Sequence, residues 1–238
     1  MFIGLWRRWR RRALRRAPLP AAWGEILART APFVAGLTPA ERAKLDGDLQ
    51  VFLAEKHFVG AGGLELTDEI RVTIAAAAVR LVVHLDIARY DRLTEIIVYP
   101  SAYRHAERDG AVLGEAHDWG VVVLAWDAVA GGLRNPVDGH ETAAHELAHV
   151  LDRADGGFDG MPELRAREDY RPWATVMQRH FDRLRARDRP LRRVLRDYGA
   201  TNPAEFFAVA TEAYFERPEQ LRARAPALHA ALDRFYRG

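Results

Sequence analysis

The chain has 238 residues, of which 49% are hydrophobic and 29% are charged, a composition typical of a globular protein with one core. It contains no cysteine, so disulfide frameworks, thiolate zinc fingers, iron–sulfur clusters and cysteine nucleophiles are excluded. The formal net charge is +2, but residues 1–16 contain seven arginines and no acid, which leaves −5 for residues 17–238. A mildly acidic body argues against a specific nucleic-acid-binding surface.

The first segment, residues 1–20, is a basic arm. Its like charges repel one another and favour a solvated, disordered arm with at most weak attraction to an anionic membrane surface. An amphipathic membrane anchor is an alternative, because Trp6 and Trp9 suit a membrane interface, but a helical projection places two arginines near the aromatic side. Non-specific nucleic-acid binding is a third alternative. We expect a disordered arm followed by one domain over residues 21–238.

The arm does not have the features of an export signal. Its charges follow the short apolar stretch, and neither an apolar core nor a cleavage site of small residues is present. The longest apolar stretch, Ile74–Leu85, is interrupted by Arg80 and is shorter than the roughly 18 residues that a membrane span needs. Without an export or spanning segment, we expect a cytoplasmic protein.

Helix signals dominate the first half of the body. Thr38-Pro39-Ala40-Glu41 is a capping box with proline at the first helical position, and it predicts a helix over residues 39–56. A glycine-rich loop is predicted at 59–63, and Thr67 or Asp68 then caps a helix rich in alanine and valine.

Strand signals appear only in the middle of the chain. Residues 95–100 and 120–126 are short, β-branched and bounded by turn residues. A loop is predicted at 131–139, and the later helices are predicted over 140–153, 170–187, 203–216 and 225–236. A few strands among many helices indicate one α+β domain.

The residues that carry chemistry are His145-Glu146-Leu147-Ala148-His149, an H-E-x-x-H motif on a predicted helix. Two histidines four residues apart project from one helix face, so both imidazoles can reach one cation. Glu146 lies beside that cation and can take a proton from a water molecule. The helix is apolar on almost every side, and burying these polar groups without a partner would cost several kcal/mol. The motif therefore predicts one zinc ion per chain.

A catalytic zinc needs a third protein ligand and an open position. Thr201 or Asn202 can cap a helix whose first turn contains Pro203, which places Glu205 near the positive end of the helix dipole. The apolar residues that follow direct Glu205 toward the core. The alternative is an acid that only stabilises the helix dipole.

Two segments, HETAAHELAHVLDRADGG and YGATNPAEFFAVATEAYF, resemble the MtfA-like bacterial zinc peptidases, a family named for titrating the glucose repressor Mlc. The resemblance runs from about residue 21 to the C-terminus and is specific because the H-E-x-x-H motif occurs with Leu151-Asp152, Gly156 and the segment 202–205. It implies an α+β, mostly helical, zincin-like (gluzincin) fold with a small sheet beside the HExxH helix, related to the catalytic domain of anthrax lethal factor.

The resemblance also implies site residues and partners. Glu205, 56 residues beyond His149, would be the third zinc ligand, and Tyr198 would donate a hydrogen bond to the oxyanion of the tetrahedral intermediate. It further implies aminopeptidase-like cleavage of short peptide substrates and binding to a sugar-uptake (Mlc-type) transcription repressor. The rival is a regulatory protein that sequesters the repressor and whose zinc site is mainly structural, although the intact Glu146 favours catalysis.

Two further acids lie near these motifs. Asp152 can orient the imidazole of a metal ligand by accepting a hydrogen bond from it, or it can stabilise the C-terminus of the helix or the turn that follows. Glu212 can also orient a metal ligand without binding the metal itself, or it can form a surface salt bridge. His140 and His117 are expected to be loop histidines.

The strand at 120–126 precedes the motif by about twenty residues. In zinc peptidases an edge strand beside the zinc helix pairs with the extended backbone of the substrate. The alternative is an ordinary core strand, and the sequence leaves both interpretations open.

Overall fold

The computed structural model describes residues 2–104, 111–112, 114–117, 120–135, 137–153 and 157–238. The helices in this part of the chain are α1 Phe2–Arg16, α2 Ala21–Thr30, α3 Pro39–Glu55, α4 Asp68–Leu81, α5 Trp126–Arg134, α6 Thr142–Asp152, α7 Tyr170–Arg185, α8 Arg189–Arg192, α9 Pro203–Glu216, α10 Pro218–Arg224 and α11 Pro226–Tyr236. The strands are β1 His57–Gly60, β2 Glu95–Tyr99, β3 Tyr103–Arg104, β4 Ala111–Val112, β5 Gly114–His117 and β6 Val121–Ala125. No helix in the described ranges is long and apolar enough to cross a membrane.

A four-stranded sheet has the strand order β1-β2-β6-β5. The first three strands are parallel, whereas β5 runs antiparallel to β6. Ile96 and Val98 of β2 are buried beside Val122 and Leu124 of β6, because β-branched and aliphatic side chains fill the surface of a covered sheet. β3 and β4 form a separate antiparallel pair. Both strands that the sequence predicts, at 95–100 and 120–126, are present as β2 and β6.

Several predicted helix starts are confirmed by their capping hydrogen bonds. The Thr38 side chain accepts a hydrogen bond from the Glu41 amide, and the Glu41 carboxylate accepts one from the Thr38 amide, which completes the capping box of α3. Thr67 caps α4, and Asn202 caps α9. These local signals set where α3, α4 and α9 begin.

Three elements differ from the prediction. The residues predicted as a loop at 59–63 include the end of β1, which forms because β2 supplies a partner strand that is distant in the sequence. The predicted loop at 131–139 begins within α5, where a Cβ at Gly132 would lie 2.8 Å from the His140 carbonyl oxygen. Gly132 therefore permits close packing rather than a turn. The predicted C-terminal helix is present as α11, which begins at Pro226, but a further short helix that the sequence did not predict, α10, precedes it.

Helix α1 differs from the disordered arm expected from the sequence. Arg11 is buried, and its Nη2 atom lies 2.7 Å from Glu55 Oε2 and 2.6 Å from Asp91 Oδ1. Arg7 forms ion pairs with the same two carboxylates. The repulsion between arginines is offset by acids of α3 and of the loop before β2, which a local charge pattern cannot reveal.

Helix α6, which carries the H-E-x-x-H motif, packs against β5 and β6 and against α9. Its apolar contacts are made by fully buried side chains: Ala143, Ala144, Leu147, Ala148 and Leu151. The expected architecture is confirmed: the fold is α+β and mostly helical, with a small sheet beside the helix of the motif.

Candidate metal centre

The two histidines of α6 lie on one helix face and are almost fully buried. The ring centroids of His145 and His149 are 4.9 Å apart, as expected for residues separated by one helical turn. The apolar residues around them bury α6, so the imidazoles are shielded from bulk water. The motif thus places two nitrogen donors side by side.

Glu205 comes to these histidines from the first turn of α9. The Asn202 side chain accepts a hydrogen bond of 2.9 Å from the Glu205 amide, and Pro203 occupies the first turn, so the backbone at this helix start is fixed. Glu205 Oε2 lies 3.0 Å from His145 Nε2 and 3.3 Å from His149 Nε2. One ligand atom from each of these residues, the His-His-Glu cluster, lies within 4.8 Å of the others.

The electrostatics of the His-His-Glu cluster favour a cation. Burial lowers the pKa of His145, but hydrogen bonds with Glu205 and Glu212 outweigh burial and raise it to about 10. Burial raises the pKa of Glu205, yet the two histidines hold it far below its usual range, so this carboxylate is ionised. Burial lowers the pKa of His149 and favours its neutral form. Two imidazoles and an ionised carboxylate form a donor set that suits a divalent transition metal such as zinc.

The other ring nitrogen of His145 is held by Glu212 and Arg196. His145 Nδ1 lies 2.5 Å from Glu212 Oε1, and Arg196 Nη2 contacts both oxygens of the same carboxylate at 2.5 and 2.7 Å. Glu212 is fully buried, so the surface salt bridge considered from the sequence is not what forms. Sequence reasoning missed Arg196, because it lies in a connecting segment with no motif and meets Glu212 only in the folded chain.

Asp152, the last residue of α6, holds Gly160 in the segment that leads away from this helix. Its Oδ2 atom accepts a hydrogen bond of 3.0 Å from the Gly160 amide. Gly160 has φ +77°, and a Cβ there would lie 2.5 Å from the Pro203 carbonyl oxygen. Asp152 therefore connects the end of α6 to the start of α9, which carries Glu205. This hydrogen bond supports the role of Asp152 in the segment that follows the helix. Burial lowers the pKa of His149 while the negative charge of Asp152 acts to raise it, so the interpretation that Asp152 supports an imidazole stays a prediction.

Glu146 lies against β5, the strand that flanks α6. A Cβ built at Gly114 would lie 2.5 Å from Glu146 Cγ and 2.7 Å from Glu146 Oε1. Only glycine at this position leaves room for the glutamate side chain. Sequence reasoning did not single out Gly114, because its requirement arises from contact between two segments.

Tyr198 lies beside the His-His-Glu cluster, in the short helical turn Asp197–Ala200. Its ring centroid is 5.8 Å from that of His145, and 51% of the residue is exposed. Burial of its other half raises the pKa of Tyr198 to about 12, and the negative charges of Glu205 and Glu146 add to this. The phenol is therefore protonated at neutral pH and can donate a hydrogen bond.

Of the two interpretations that the sequence leaves open for strand 120–126, the structure shows the core strand. β6 pairs with β2 on one side and with β5 on the other, so its backbone groups are already used. Within the described residues, β5 pairs only with β6 and has one open edge. The candidate edge strand beside α6 is therefore β5.

A buried ion pair anchors the start of α6. Arg80 Nη1 donates to Glu141 Oε2 at 2.9 Å, and Glu141, which precedes α6, is fully buried. The Arg80 guanidinium carbon lies 4.6 Å from the Phe33 ring centroid and 5.2 Å from that of Phe215. Arg80, which interrupts an apolar stretch in the sequence, thus pairs with the acid that precedes α6.

The remaining sequence-based interpretations concern residues outside the cluster. His140 does not belong to the His-His-Glu cluster, which is the group of metal-ligand type found among the described residues. The His140 amide donates to Glu216 Oε2, and burial lowers the pKa of the His140 side chain. The side chain of His117 and all of Gly156 lie outside the described residues.

Comparison with known proteins gives matches over nearly the whole chain. The profile of a family described as "Glucose-regulated metallo-peptidase M90" matches residues 6–237. An uncharacterized protein of Synechocystis sp. is 38% identical, with 97% of this chain and 89% of that protein covered. Mlc titration factor A of Yersinia pestis and that of Yersinia pseudotuberculosis are each 30% identical over 93% of this chain and 86% of their own length. The family match begins within α1, earlier than the motifs alone indicate.

Proposed function

The chain belongs to the glucose-regulated metallo-peptidase family M90, and on this premise we propose that it is a zinc-dependent peptidase of the gluzincin type. The observation that carries the proposal is the convergence of His145, His149 and Glu205, which each bring one ligand atom within 4.8 Å of the others. The negative surroundings of His145, which raise its pKa, also favour a divalent cation at this point. We assign these three side chains as the protein ligands of one zinc ion.

Zinc bound there would act as a Lewis acid that polarises the scissile carbonyl and acidifies the attacking water. In our proposal Glu146 is the general base: its carboxylate accepts a proton from that water and then delivers the proton to the leaving amine. The position of Glu146 supports this role, because it follows a ligand on α6 and lies against the flanking strand β5.

Tyr198 and Glu212 complete the proposed machinery. The Tyr198 phenol donates a hydrogen bond to the oxyanion that forms on the carbonyl oxygen, a role that its raised pKa supports. Glu212 holds His145 Nδ1 and so leaves His145 Nε2 on the side of Glu205, where it would bind the metal, while Arg196 holds the Glu212 carboxylate in place. Arg196 and Glu212 are thus positioning residues.

We further propose that an extended peptide substrate pairs with the open edge of β5. This strand pairs with β6 on one side, and Gly114 brings it into contact with Glu146. A substrate backbone hydrogen-bonded along this edge would present its scissile bond beside Glu146. The aminopeptidase-like preference is taken from the resemblance to the MtfA-like family.

The names of the Yersinia relatives support a second element of the proposal. Proteins called Mlc titration factor A titrate Mlc according to their name, and we propose that this chain binds a transcription repressor of the same type. The alternative function follows from the same names: a regulatory protein that sequesters the repressor and whose zinc site is mainly structural. Peptide hydrolysis separates the two, because a mainly structural zinc site predicts that the zinc-loaded wild type and Glu146→Gln hydrolyse peptides equally slowly. Repressor binding at wild-type strength by Glu146→Gln would show in addition that binding does not need catalysis.

Metal analysis and a peptide-library digest of the wild type, Glu146→Gln and Glu205→Ala test the proposal. We expect about one zinc per chain in the wild type and in Glu146→Gln, and loss of zinc in Glu205→Ala, because two histidines leave the cation under-coordinated. Glu146→Gln should lower turnover by roughly 10²–10⁴-fold. Wild-type turnover in Glu146→Gln would remove that residue from the mechanism. Full zinc in Glu205→Ala would move the third ligand to another acid, with Glu212 and Asp152 the first to examine.

A further inference from the structure

Helix α1 exposes a cluster of large apolar side chains. The exposed fractions of Leu5, Trp6 and Trp9 are 60%, 59% and 68%. Leu5 and Trp9 are separated by one helical turn, so they lie side by side on the surface of α1. In the described part of the chain, these are three of the six exposed large hydrophobic residues. A cluster of this kind on a folded protein marks an interaction surface.

Six of the seven arginines of α1 divide into two groups of three. Arg7, Arg11 and Arg15 face the body and form ion pairs with its carboxylates. The second group is exposed and, among the residues that the structure describes, forms no ion pair; its members are Arg8, Arg12 and Arg16. Spaced four residues apart, they form one row beside Leu5 and Trp9. We call Leu5, Trp6, Arg8, Trp9, Arg12 and Arg16 the outer face of α1.

This division removes the sequence-based argument against a membrane-binding helix. A helical projection places Arg7 and Arg10 near the aromatic side, but Arg7 is bound by Glu55 and Asp91. Arg10 donates to the Ala54 carbonyl oxygen at 3.3 Å. Arg7 is therefore held toward the body, whereas the Arg10 guanidinium carbon also lies 5.6 Å from the Trp6 ring centroid. Arg10 thus lies at the edge of the outer face and adds a cation beside Trp6, while Leu5 and Trp9 stay exposed. Because α1 is already helical and docked, binding would not need to order a disordered arm.

We propose that the outer face of α1 binds the surface of an anionic lipid bilayer. Exposed arginines complement anionic headgroups, and indole rings are favoured at the boundary between headgroups and acyl chains. A nucleic-acid backbone would also attract the arginines, but it would leave Leu5 and Trp9 in water. The remainder of the chain, with its formal charge of −5, opposes a polyanion that extends along the body. The proposal does not depend on the proposed peptidase activity.

Sedimentation of the full chain with phospholipid vesicles tests this proposal. The vesicles contain phosphatidylcholine alone, or phosphatidylcholine and phosphatidylglycerol in a three-to-one ratio. We expect binding to the anionic vesicles that weakens but persists when salt is raised from about 0.1 to about 1 M, where screening removes most of the electrostatic attraction. Trp6→Ser with Trp9→Ser should weaken binding at least tenfold at both salt concentrations.

The charged row is tested by a triple variant and a matched control. At low salt each arginine contributes about fivefold to the affinity for an anionic surface. Removal of the row should therefore weaken binding about 100-fold at low salt; the substitutions are Arg8→Gln, Arg12→Gln and Arg16→Gln. The control removes the same charge from exposed arginines outside α1 and should bind like the wild type; it consists of Arg171→Gln, Arg179→Gln and Arg193→Gln.

Three results would overturn the proposal. The first is absence of binding to the anionic vesicles, and the second is equal binding by the wild type and the double tryptophan variant. The third is binding of a duplex oligonucleotide to the wild type that is as tight as binding to the vesicles and that is lost with the same arginines. Because the outer face points away from the body, thermal unfolding of every variant should match the wild type, which excludes misfolding as the cause of lost binding.

Discussion

His145 and His149 differ in what holds the ring nitrogen that faces away from Glu205. His145 Nδ1 is held by Glu212, whereas His149 Nδ1 is buried and has no hydrogen-bond partner within the described residues. The orientation of His145 therefore depends on Glu212, and the orientation of Glu212 depends on Arg196. Metal affinity should be sensitive to this arginine, although it contacts no proposed reacting atom.

Arg196→Gln tests that dependence. The variant should bind zinc 10–100-fold more weakly, the usual effect of losing a group that orients a metal ligand, as measured by competition with a chelator. Arg196→Lys, which keeps the charge, should restore part of the affinity. The matched control is Arg192→Gln, which breaks an exposed ion pair with Asp197 in the same segment. Unchanged zinc affinity in Arg196→Gln would contradict the positioning role.

Tyr198→Phe tests the proposed oxyanion donor. Because the pKa of Tyr198 is raised to about 12, the phenol remains a donor until the pH rises through that value. Removing its hydroxyl should lower turnover about 10²-fold while zinc content and substrate affinity stay constant. Steady-state kinetics with a short peptide measures both. Tyr170→Phe, which removes a hydroxyl that binds the Leu164 amide, serves as control and should keep wild-type turnover.

Among single residues, local signals predicted the helix that carries His145 and His149, and the cap at Asn202 predicted the helix of Glu205. The resemblance added Tyr198. Arg196 and Gly114 could not be predicted, because their importance comes from contacts between segments that are far apart in the sequence.

At the scale of elements, the packing of β5 against α6 sets the space for Glu146. Gly114→Ala introduces a Cβ 2.5 Å from Glu146 Cγ, so either the strand or the glutamate must move. We expect zinc content to remain and turnover to fall at least tenfold, since a positioned general base contributes about 10²–10⁴-fold. Peptide hydrolysis and metal analysis measure the two effects. Gly131→Ala, whose Cβ meets no atom within 4 Å, is the control and should leave both unchanged.

The docking of α1 on α3 predicts a pH-dependent contribution to stability. Burial raises the pKa of Glu55, but hydrogen bonds from Arg11 and Arg7 outweigh burial and lower it from 4.5 to about 2. A carboxylate whose pKa is depressed in the folded state stabilises the protein above its unfolded pKa, and this stabilisation is lost as the pH falls through the folded value.

Thermal unfolding of the wild type and Glu55→Gln at a series of pH values measures this contribution. The wild type should have the higher Tm above pH 4.5, and the difference should shrink as the pH falls toward about 2. Glu69→Gln breaks an exposed ion pair with Arg29 and should change Tm little at any pH. A Tm difference between wild type and Glu55→Gln that is constant down to pH 2 would contradict the role of this ion pair.

The elements also show why parts of the fold escaped prediction. Capping boxes and β-branched runs are local, so α3, α4, β2 and β6 followed from short segments of sequence. β1 and β5 are short strands that depend on partners supplied by the sheet, and α1 depends on acids more than 30 residues away. The sequence shows that the arginines of α1 repel one another, but it does not show which carboxylates the folded chain brings beside them.

At the scale of the whole molecule, one cluster of buried hydrophobic residues extends from Ile26 to Tyr236 and supports both helices of the His-His-Glu cluster. The His-His-Glu cluster lies between α6 and α9, and β5 packs against Glu146 beside it. The outer face of α1 is a separate surface. This arrangement predicts that the proposed peptide hydrolysis and the proposed membrane binding can be altered independently. Variants of the outer face should therefore keep wild-type zinc content and peptidase activity.

The central claim is that the His-His-Glu cluster holds one zinc ion and that Glu146 acts beside it as the general base of peptide hydrolysis. Titration of zinc into metal-depleted protein, followed by the rate of peptide hydrolysis, tests it most directly. In the wild type the rate should rise until about one zinc per chain is bound and then stay constant, whereas Glu146→Gln should bind the same zinc and remain nearly inactive. Hydrolysis at the full rate by metal-depleted protein, or by zinc-loaded Glu146→Gln, would contradict the claim.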